Sequence, residues 1–302
     1  LQERVAALLG KEAALFMTSG TQSTLCALMA HCARGDEYIV GQEAHTYRYE
    51  GGGAAVLGSI QPQPLNNLAD GTLALAEIEA AIKPNDAHFA RTHLLALENT
   101  IGGRVLPMAY LDTATALAQR HGLATHLDGA RLFNAAVVVA QAEGTDPRAA
   151  ARAIADRFDS VSICFSKGLG TPVGSMLVGS KELIARAHRH RKMLGGGLRQ
   201  VGILAAAADH ALDHHIDRLS DDHSNARRLA EGLQGLPGVT VHAPQTHIVF
   251  VALAPEKAPG AVERLKAAGV LATGLYRLRL VTHLDVSADD IDFAIRALRA
   301  AL

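Results

Sequence analysis

The chain has 302 residues, a formal net charge of -1 and a hydrophobic fraction of 49%. A chain of this length can bury a large core and form two domains, while its near-neutral charge gives no electrostatic footprint for nucleic acid or an acidic membrane surface. No apolar run reaches the ~18 residues of a membrane span, and no secretory leader opens the chain, so we expect a soluble cytoplasmic protein. Its three cysteines are an odd set, which predicts reduced thiols. We expect the protein to bind neither nucleic acid nor membrane.

Strand-like runs alternate with helical stretches over the first two thirds of the sequence. The predicted strands cover residues 13–17, 38–40, 93–97, 124–127 and 161–165. The predicted helices cover residues 23–33, 74–82, 110–120, 181–192 and 203–212, and the alanine-rich run 148–155 predicts one more. This alternation predicts an α/β fold with a mostly parallel sheet that is flanked by helices.

The last third of the chain has a different order of predicted elements. A polar helical run over 216–233 is followed by strands at 239–241, 248–252 and 278–281 and by helices at 261–268 and 288–302. These elements predict a smaller α+β domain. We therefore divide the chain into a large domain, 1–215, and a small C-terminal α+β domain, 216–302.

One lysine stands where an amine could do chemistry. Lys167 follows the apolar strand 161–165 and lies in a turn bounded by Gly168 and Gly170. An amine at the end of an apolar strand is partly desolvated and can attack an aldehyde to form a Schiff base, while glycines let a flat cofactor approach the backbone. The alternative interpretation is a solvated surface lysine, and this residue alone does not decide between them.

Two further segments could complete a cofactor site with this lysine. Asp128 ends the predicted strand 124–127, and strand carboxyl ends in open α/β sheets face the ligand crevice, where a carboxylate can keep a pyridine nitrogen protonated. Gly20 and Thr21 follow Ser19 at the start of a predicted helix, whose unpaired N–H groups attract phosphate. Each segment has helix capping as its ordinary alternative. Together with the lysine they predict a site for pyridoxal 5'-phosphate.

Six short segments spread over nearly the whole chain match the pattern of one family: 19–22 (SGTQ), 41–45 (GQEAH), 97–100 (LENT), 126–131 (HLDGAR), 166–170 (SKGLG) and 191–200 (RKMLGGGLRQ). In this combination the sequence resembles the low-specificity L-threonine aldolases. These are pyridoxal-phosphate enzymes of the aspartate-aminotransferase fold, fold type I. The family usually carries an amino-terminal Arg-Ser-Asp-Thr segment that contacts substrate, and nothing in this sequence matches it. The resemblance therefore supports cofactor binding more strongly than substrate contacts.

The resemblance implies a role for each matching residue of the cofactor site. Lys167 would be the Schiff-base lysine, Asp128 the acid at the pyridine nitrogen, and Gly20 with Thr21 the phosphate loop. His45 would stack on the cofactor ring, and because an imidazole titrates near neutral pH it could also take part in catalysis as a proton acceptor.

Four more residues match family positions outside that set. His88 would lie near the β-hydroxyl of the substrate and act in catalysis, although an isolated histidine is more often a surface or packing residue. Arg131 and Arg279 would grip the substrate carboxylate, since the planar guanidinium fork can bind both of its oxygens. Arg277 shares a predicted strand face with Arg279, so the choice between them depends on the family match. Arg199 could reach the cofactor phosphate or contact solvent.

The implied reaction is a retro-aldol cleavage of L-threonine, L-allo-threonine and other β-hydroxy-α-amino acids to glycine and an aldehyde. Other reactions on the same cofactor, namely racemisation, β-elimination or hydroxymethyl transfer, are the nearest alternatives, and a catalytically silent binding or scaffold relative is an alternative of another class. The family forms homodimers or homotetramers with sites at a dimer interface, which the resemblance implies here. His210, His214 and His215 lie close in sequence without a further ligand pattern, so no metal site is predicted.

Overall fold

The computed structural model describes residues 1–274 and 277–302. It divides into two compact units, which we call the first unit, Leu1–Ile216, and the second unit, Asp217–Leu302. Within the described residues, no helix combines the length and the apolar character that crossing a membrane requires.

A seven-stranded sheet forms the centre of the first unit. Its strands are β1 (Ala13–Met17), β2 (Asp36–Gly41), β3 (Gln61–Leu65), β4 (Arg91–Glu98), β5 (Ala124–Gly129), β6 (Ser160–Cys164) and β7 (Ser175–Gly179), in the spatial order β1-β7-β6-β5-β4-β2-β3. Only β7 runs antiparallel to its neighbours, whereas β2–β3, β2–β4, β4–β5 and β5–β6 are parallel pairs. The predicted α/β fold with a mostly parallel sheet is confirmed.

Helices cover both faces of this sheet, which is why central strands such as β6 are buried along their full length. They are α1 (Gln2–Leu8), α2 (Gly20–His31), α3 (His45–Arg48), α4 (Gly53–Val56), α5 (Leu75–Ala81), α6 (Met108–Arg120), α7 (Leu132–Glu143), α8 (Pro147–Asp156), α9 (Lys181–Met193) and α10 (Gly202–His214). One apolar cluster lies between β1, β7, α2 and α9, and another lies between α2, β2, β4 and α4.

Two strands of this sheet were not among those predicted from the sequence. β3 contains Pro62 and Pro64, which lack the N–H group that a central strand needs. The two prolines are tolerated because β3 is an edge strand that pairs only with β2. β7 is a short apolar run that reverses direction between β1 and β6.

The second unit is built around a three-stranded antiparallel sheet of β8 (Val239–Val241), β9 (Ile248–Leu253) and β10 (Leu278–Val281), in the order β10-β9-β8. Its helices are α11 (Leu219–Gly232), α12 (Ala261–Ala267) and α13 (Ala288–Ala301). Val249, Val251, Leu265, Leu278 and Leu280 belong to its apolar core. A capping box between Ser287 and Asp290 fixes the start of α13. The second unit has the predicted α+β character.

The pairing of β4, β5 and β6 shows which residues lie together at one edge of the large sheet. Glu98 at the end of β4 lies opposite Asp128 on β5, and Asp128 lies opposite Ser162 on β6. The carboxyl ends of these three parallel strands therefore lie side by side, at the edge where ligands bind in open α/β sheets.

Candidate active site

A cavity of about 250 Å³ lies at the carboxyl edge of the large sheet. Gly20, Thr21, His45, Asp128 and Lys167 all line it, so the fold brings together five of the six residues predicted to bind the cofactor, Arg199 being the exception. A larger cleft of about 420 Å³ beside α1 and α9 contains none of them. Chemistry rather than size therefore selects the smaller cavity as the candidate site.

The start of α2 forms one wall of this cavity. Ser19 is the N-cap, and its hydroxyl accepts the Gln22 N–H at 3.2 Å. The side-chain oxygen of Gln22 in turn accepts the Thr18 hydroxyl at 3.0 Å, which fixes the loop that leaves β1. A Cβ atom at Gly20 would lie 2.8 Å from the Cys164 Sγ, so a glycine is needed for this close approach. The first N–H groups of α2 are therefore presented to the cavity by a tightly packed backbone.

The glycine-rich segment 191–200 packs behind the same wall. The Arg191 guanidinium donates to the Phe16 carbonyl at 2.8 Å, and a Cβ atom at Gly196 would lie 2.2 Å from the Gln22 side-chain oxygen. A larger residue at Gly196 would therefore displace the Gln22 side chain, which binds Thr18. Arg199 lies farther along it, is exposed, and is not among the residues that line the cavity.

Asp128 is buried at the end of β5 and faces the cavity. One of its carboxylate oxygens accepts the Ala130 N–H at 3.0 Å, which fixes the tight turn after the strand. The N-cap of the following helix α7 is Arg131, not Asp128, and no side chain caps that helix. The helix-capping alternative for Asp128 is therefore not what the structure shows.

Two carboxylates hold His45. Its backbone N–H donates to the Glu98 carboxylate at 2.7 Å, and its Nδ1 lies 2.9 Å from the Glu50 carboxylate. The hydrogen bond to Glu50 raises the pKa of His45, and the carboxylate of Asp128 acts in the same direction while burial and Lys167 oppose it. Burial raises the pKa of Glu50.

Glu98 is the acid at the carboxyl end of β4, opposite Asp128. Burial raises its pKa, the neighbouring Asp128 raises it further, and Arg131 lowers it. Burial also lowers the pKa of Arg131, which the charge of Glu98 opposes. Arg131 therefore lies near the charges of both acids. In the sequence it comes directly after the turn that Asp128 fixes.

The ligand atoms of His45, Glu50 and Asp128 lie within 4.8 Å of one another. Such a set could coordinate a metal ion, whereas the sequence predicts none. The Lys167 side chain lines the same cavity, and its positive charge would repel a metal ion. An organic aldehyde with a basic ring nitrogen would use both kinds of group, the amine for a Schiff base and a carboxylate for the ring nitrogen.

Two predicted residues lie on the surface of the first unit, outside this cavity. His88 is in the turn between α5 and β4, its side chain is 87% exposed, and its Nδ1 lies 2.6 Å from the Asp86 carboxylate in the same turn. Arg199 is the second. Arg279 belongs to the second unit, on β10 opposite Phe250 of β9, and the guanidinium of Arg277 stacks 3.9 Å above the Phe250 ring. The roles of all three predicted residues stay predictions.

The cavity also contains functional groups that were not predicted from the sequence. Glu50 and Cys164 line it, and Glu98 binds the backbone of His45. For Glu98 a signal existed, since it ends an apolar strand in the same way as Asp128. For Glu50 only its place before three glycines distinguished it.

Comparison with known proteins gives consistent matches. A family model described as Beta-eliminating lyase matches residues 1–256. The low specificity L-threonine aldolase of Escherichia coli (strain K12) is 52% identical over 96% of this chain and 85% of that protein. A probable low-specificity L-threonine aldolase of Arabidopsis thaliana is 42% identical over 98% of this chain and 84% of that protein. In fold, the chain is similar to the threonine aldolase of Leishmania major, with a TM-score of 0.82, 22% identity, and coverage of 99% of this chain and 87% of that one.

Proposed function

We propose, because this chain belongs to the low-specificity L-threonine aldolase family within the β-eliminating lyases, that it cleaves L-threonine and L-allo-threonine to glycine and acetaldehyde. The protein is a carbon–carbon lyase that depends on pyridoxal phosphate. The observation that carries the proposal is the single cavity that Lys167, Asp128 and the start of α2 share.

The residues of the cavity fit the three chemical parts of pyridoxal phosphate. Lys167 offers an amine for the aldehyde, Asp128 offers a carboxylate for the protonated ring nitrogen, and the N–H groups of Gly20 and Thr21 offer donors for the phosphate. The close approach of Gly20 to Cys164 supports this fit, because a side chain at that position would fill the cradle. When bound, the cofactor supplies an electron sink for the pair released from the Cα–Cβ bond.

The side chains of this site have distinct tasks in the cleavage. Arg131, beside Glu98 and Asp128, is the proposed partner of the substrate carboxylate, which it would orient with its guanidinium fork. His45 is the proposed acceptor of the β-hydroxyl proton. As the Cα–Cβ bond breaks, the hydroxyl oxygen becomes the carbonyl of acetaldehyde, and a proton replaces Cβ on the α-carbon to give glycine. Arg279 is proposed as the second carboxylate partner, on the family resemblance of its strand.

The test is a product analysis of the purified protein with pyridoxal phosphate and L-threonine. We expect glycine and acetaldehyde in equal amounts, the aldehyde being measured by NADH oxidation with alcohol dehydrogenase. The nearest alternatives give other products: β-elimination gives 2-oxobutanoate and ammonia, and racemisation at the α-carbon gives D-allo-threonine. A preparation that binds the cofactor and releases one of these in place of acetaldehyde would reject the aldolase. A protein that shows no cofactor absorption band would support the scaffold alternative.

We also propose that the protein is a cytoplasmic homodimer or homotetramer. Cys26, Cys32 and Cys164 are free and buried, which suits a reducing compartment. Large apolar side chains are exposed in the first unit, among them Val56, at 75%, and Ile203, at 83%. Exposed apolar groups of this size suit a subunit interface. Sedimentation equilibrium tests the proposal, and a monomer at micromolar concentration would reject it.

His88 and Arg199 are proposed to act on the site of a neighbouring subunit. Both are exposed, and each is next to an exposed apolar residue, Phe89 at 48% and Leu198 at 46%. Hybrid oligomers separate action within one chain from action across chains. Lys167→Ala and His88→Ala subunits should each be nearly inactive alone, and mixed oligomers should regain activity because one site then has both wild-type residues. If both variants are inactive alone, hybrids that stay inactive would show that His88 acts within its own chain, and a His88→Ala protein that is active alone would show that it has no role.

A further inference from the structure

We infer that Glu50 is a positioning residue for the proton transfer, in that its carboxylate fixes His45 with Nδ1 as donor and leaves Nε2 as the acceptor for the β-hydroxyl proton. The inference deepens the proposed function and rests on it. Its geometric basis is the 2.9 Å contact between the Nδ1 of His45 and the Glu50 carboxylate, at the wall of the cavity that also contains Lys167.

The chemistry of the two groups sets the direction of this hydrogen bond. An ionised carboxylate can only accept, so Nδ1 must carry the hydrogen that it shares with Glu50. A neutral imidazole has one hydrogen, and the lone pair therefore lies on Nε2. The Glu50 side chain is 5% exposed, so water does not compete strongly for this contact, whereas the His45 side chain is 40% exposed and can meet a substrate.

His45 is also fixed through its backbone, which makes the ring contact a matter of orientation rather than of general stability. The Glu98 carboxylate accepts the His45 N–H at 2.7 Å, which anchors the start of α3. With the main chain anchored in this way, Glu50 controls the remaining freedom, the rotation and tautomer of the ring. In the proton transfer, the substrate O–H bond breaks and an Nε2–H bond forms, and the imidazolium that results is balanced by the Glu50 carboxylate.

The charged groups around His45 predict the sign of the pH effect. Glu50 after α3, Glu98 on β4 and Asp128 on β5 are acids, and Lys167 after β6 is the opposing base. Glu50 raises the pKa of His45 through the shared hydrogen bond, so Glu50→Gln should lower it. Because His45 accepts a proton only when it is neutral, the acid limb of kcat should then move to lower pH.

The experiment compares Glu50→Gln with a matched control, Glu79→Gln. Glu79 pairs with His121 at 3.0 Å on the surface of the first unit, so the control removes the same charge from another histidine–glutamate pair. NMR titration of the His45 ring in the cofactor-free protein gives a readout that needs no activity. Glu50→Gln should lower the His45 pKa, move the acid limb of kcat, and reduce kcat about 10²-fold with little change in KM for L-threonine. Glu79→Gln should change none of these.

The outcomes separate this inference from the proposed function. A Glu50→Gln protein with wild-type titration of His45 and an unmoved acid limb would overturn the role of Glu50, even if kcat fell, because a purely structural loss does not shift a pH profile. Wild-type protein that releases no acetaldehyde would overturn the proposed function, and the titration would still decide whether Glu50 controls the charge of His45. If Glu50→Gln does not fold, Glu50→Asp replaces it: it keeps the charge, so kcat should fall while the acid limb stays near that of the wild type, and a limb that moved to low pH would count against the inference.

Discussion

The two edges of the large sheet surround their histidines with opposite electrostatics. At the carboxyl edge, His45 lies against Glu50 in an open cavity, and this hydrogen bond raises its pKa. Toward the amino edge, His31 and His126 share the Ser160 hydroxyl at 2.7 and 2.8 Å, and burial lowers the pKa of His31 to about 4 and that of His126 to about 3. The direct hydrogen-bond partner of the ring is a carboxylate in the first arrangement and a neutral hydroxyl in the second.

Strand β5 contributes to both regions, since His126 and Asp128 are two residues apart on the same side of one strand. The strand itself therefore does not distinguish a packing residue from a functional one. Burial and the hydrogen-bond partner distinguish them: burial lowers the pKa of His31 and of His126, whereas the hydrogen bond to Glu50 raises the pKa of His45. Changes at the carboxyl edge should affect activity, and changes at the amino edge should affect stability.

The largest effect should follow from removing the amine of the carboxyl edge. Lys167→Ala should abolish the visible absorption band of bound pyridoxal phosphate and nearly all turnover, because the group that attaches the cofactor is gone. Absorption spectra and acetaldehyde release measure both quantities. Lys181→Ala, an exposed lysine at the start of α9, is the control and should behave like the wild type. A Lys167→Ala protein that kept the band and the activity would refute the assigned role.

A smaller but still large loss should follow at Asp128. Asp128→Asn keeps an acceptor for the Ala130 N–H and removes the charge that would hold the ring nitrogen protonated, so the protein should fold and retain some cofactor. We expect kcat to fall about 10²- to 10⁴-fold. Asp112→Asn, which removes an exposed acid paired with Arg157, is the control for charge. Unchanged turnover in Asp128→Asn would reject the electron-sink argument.

The amino edge should respond in stability and in its pH dependence. In the folded protein burial lowers the pKa of His31 from 6.5 to about 4, so the unfolded chain binds a proton that the folded one refuses as pH falls between these values. The contribution of His31 to the free energy of unfolding is therefore fully present above pH 6.5. It should decrease by on the order of 3 kcal/mol on acidification to the pKa of the folded state. His126, whose pKa is also lowered, should add to this slope.

The variant that tests this slope is His126→Asn. Urea unfolding of the cofactor-free protein at neutral and at mildly acidic pH should show a lower stability than the wild type, by about 1–3 kcal/mol, and a weaker pH dependence. The acid limb of kcat should not move. His121→Asn, on the surface, controls for the loss of an exposed histidine. A variant with an altered activity profile and unaltered stability would reverse the assignment of the two edges.

Most of the sheet follows from local sequence pattern, and the exceptions have physical reasons. Apolar runs such as 161–165 predict buried strands because both faces of a central parallel strand are covered. β3 could not be predicted in this way. Pro62 and Pro64 argue against a strand unless it is known to lie at the edge of the sheet, and the sequence alone does not give that position. β7 is a short apolar run that lies antiparallel to its neighbours. Its strand partners are determined only when the whole sheet forms, so local sequence does not reveal them.

The candidate site shows the same division between local and non-local information. Gly20, Asp128 and Lys167 could be predicted to meet because the carboxyl ends of parallel strands share one edge. Glu50 could not, since its contact with His45 is made in a glycine-bounded turn after α3, where no periodicity fixes the direction of a side chain. For His88, the role was predicted only from resemblance to a family, and the structure shows the residue exposed at a turn.

The most direct test of the central claim is to fix the cofactor chemically and find its attachment point. Borohydride reduction of the protein loaded with pyridoxal phosphate, followed by peptide mass spectrometry, should place one reduced cofactor per chain on Lys167 and none on the exposed Lys181 or Lys192. A label on another lysine, or no label after loading, would contradict the account of this cavity as the site of cleavage.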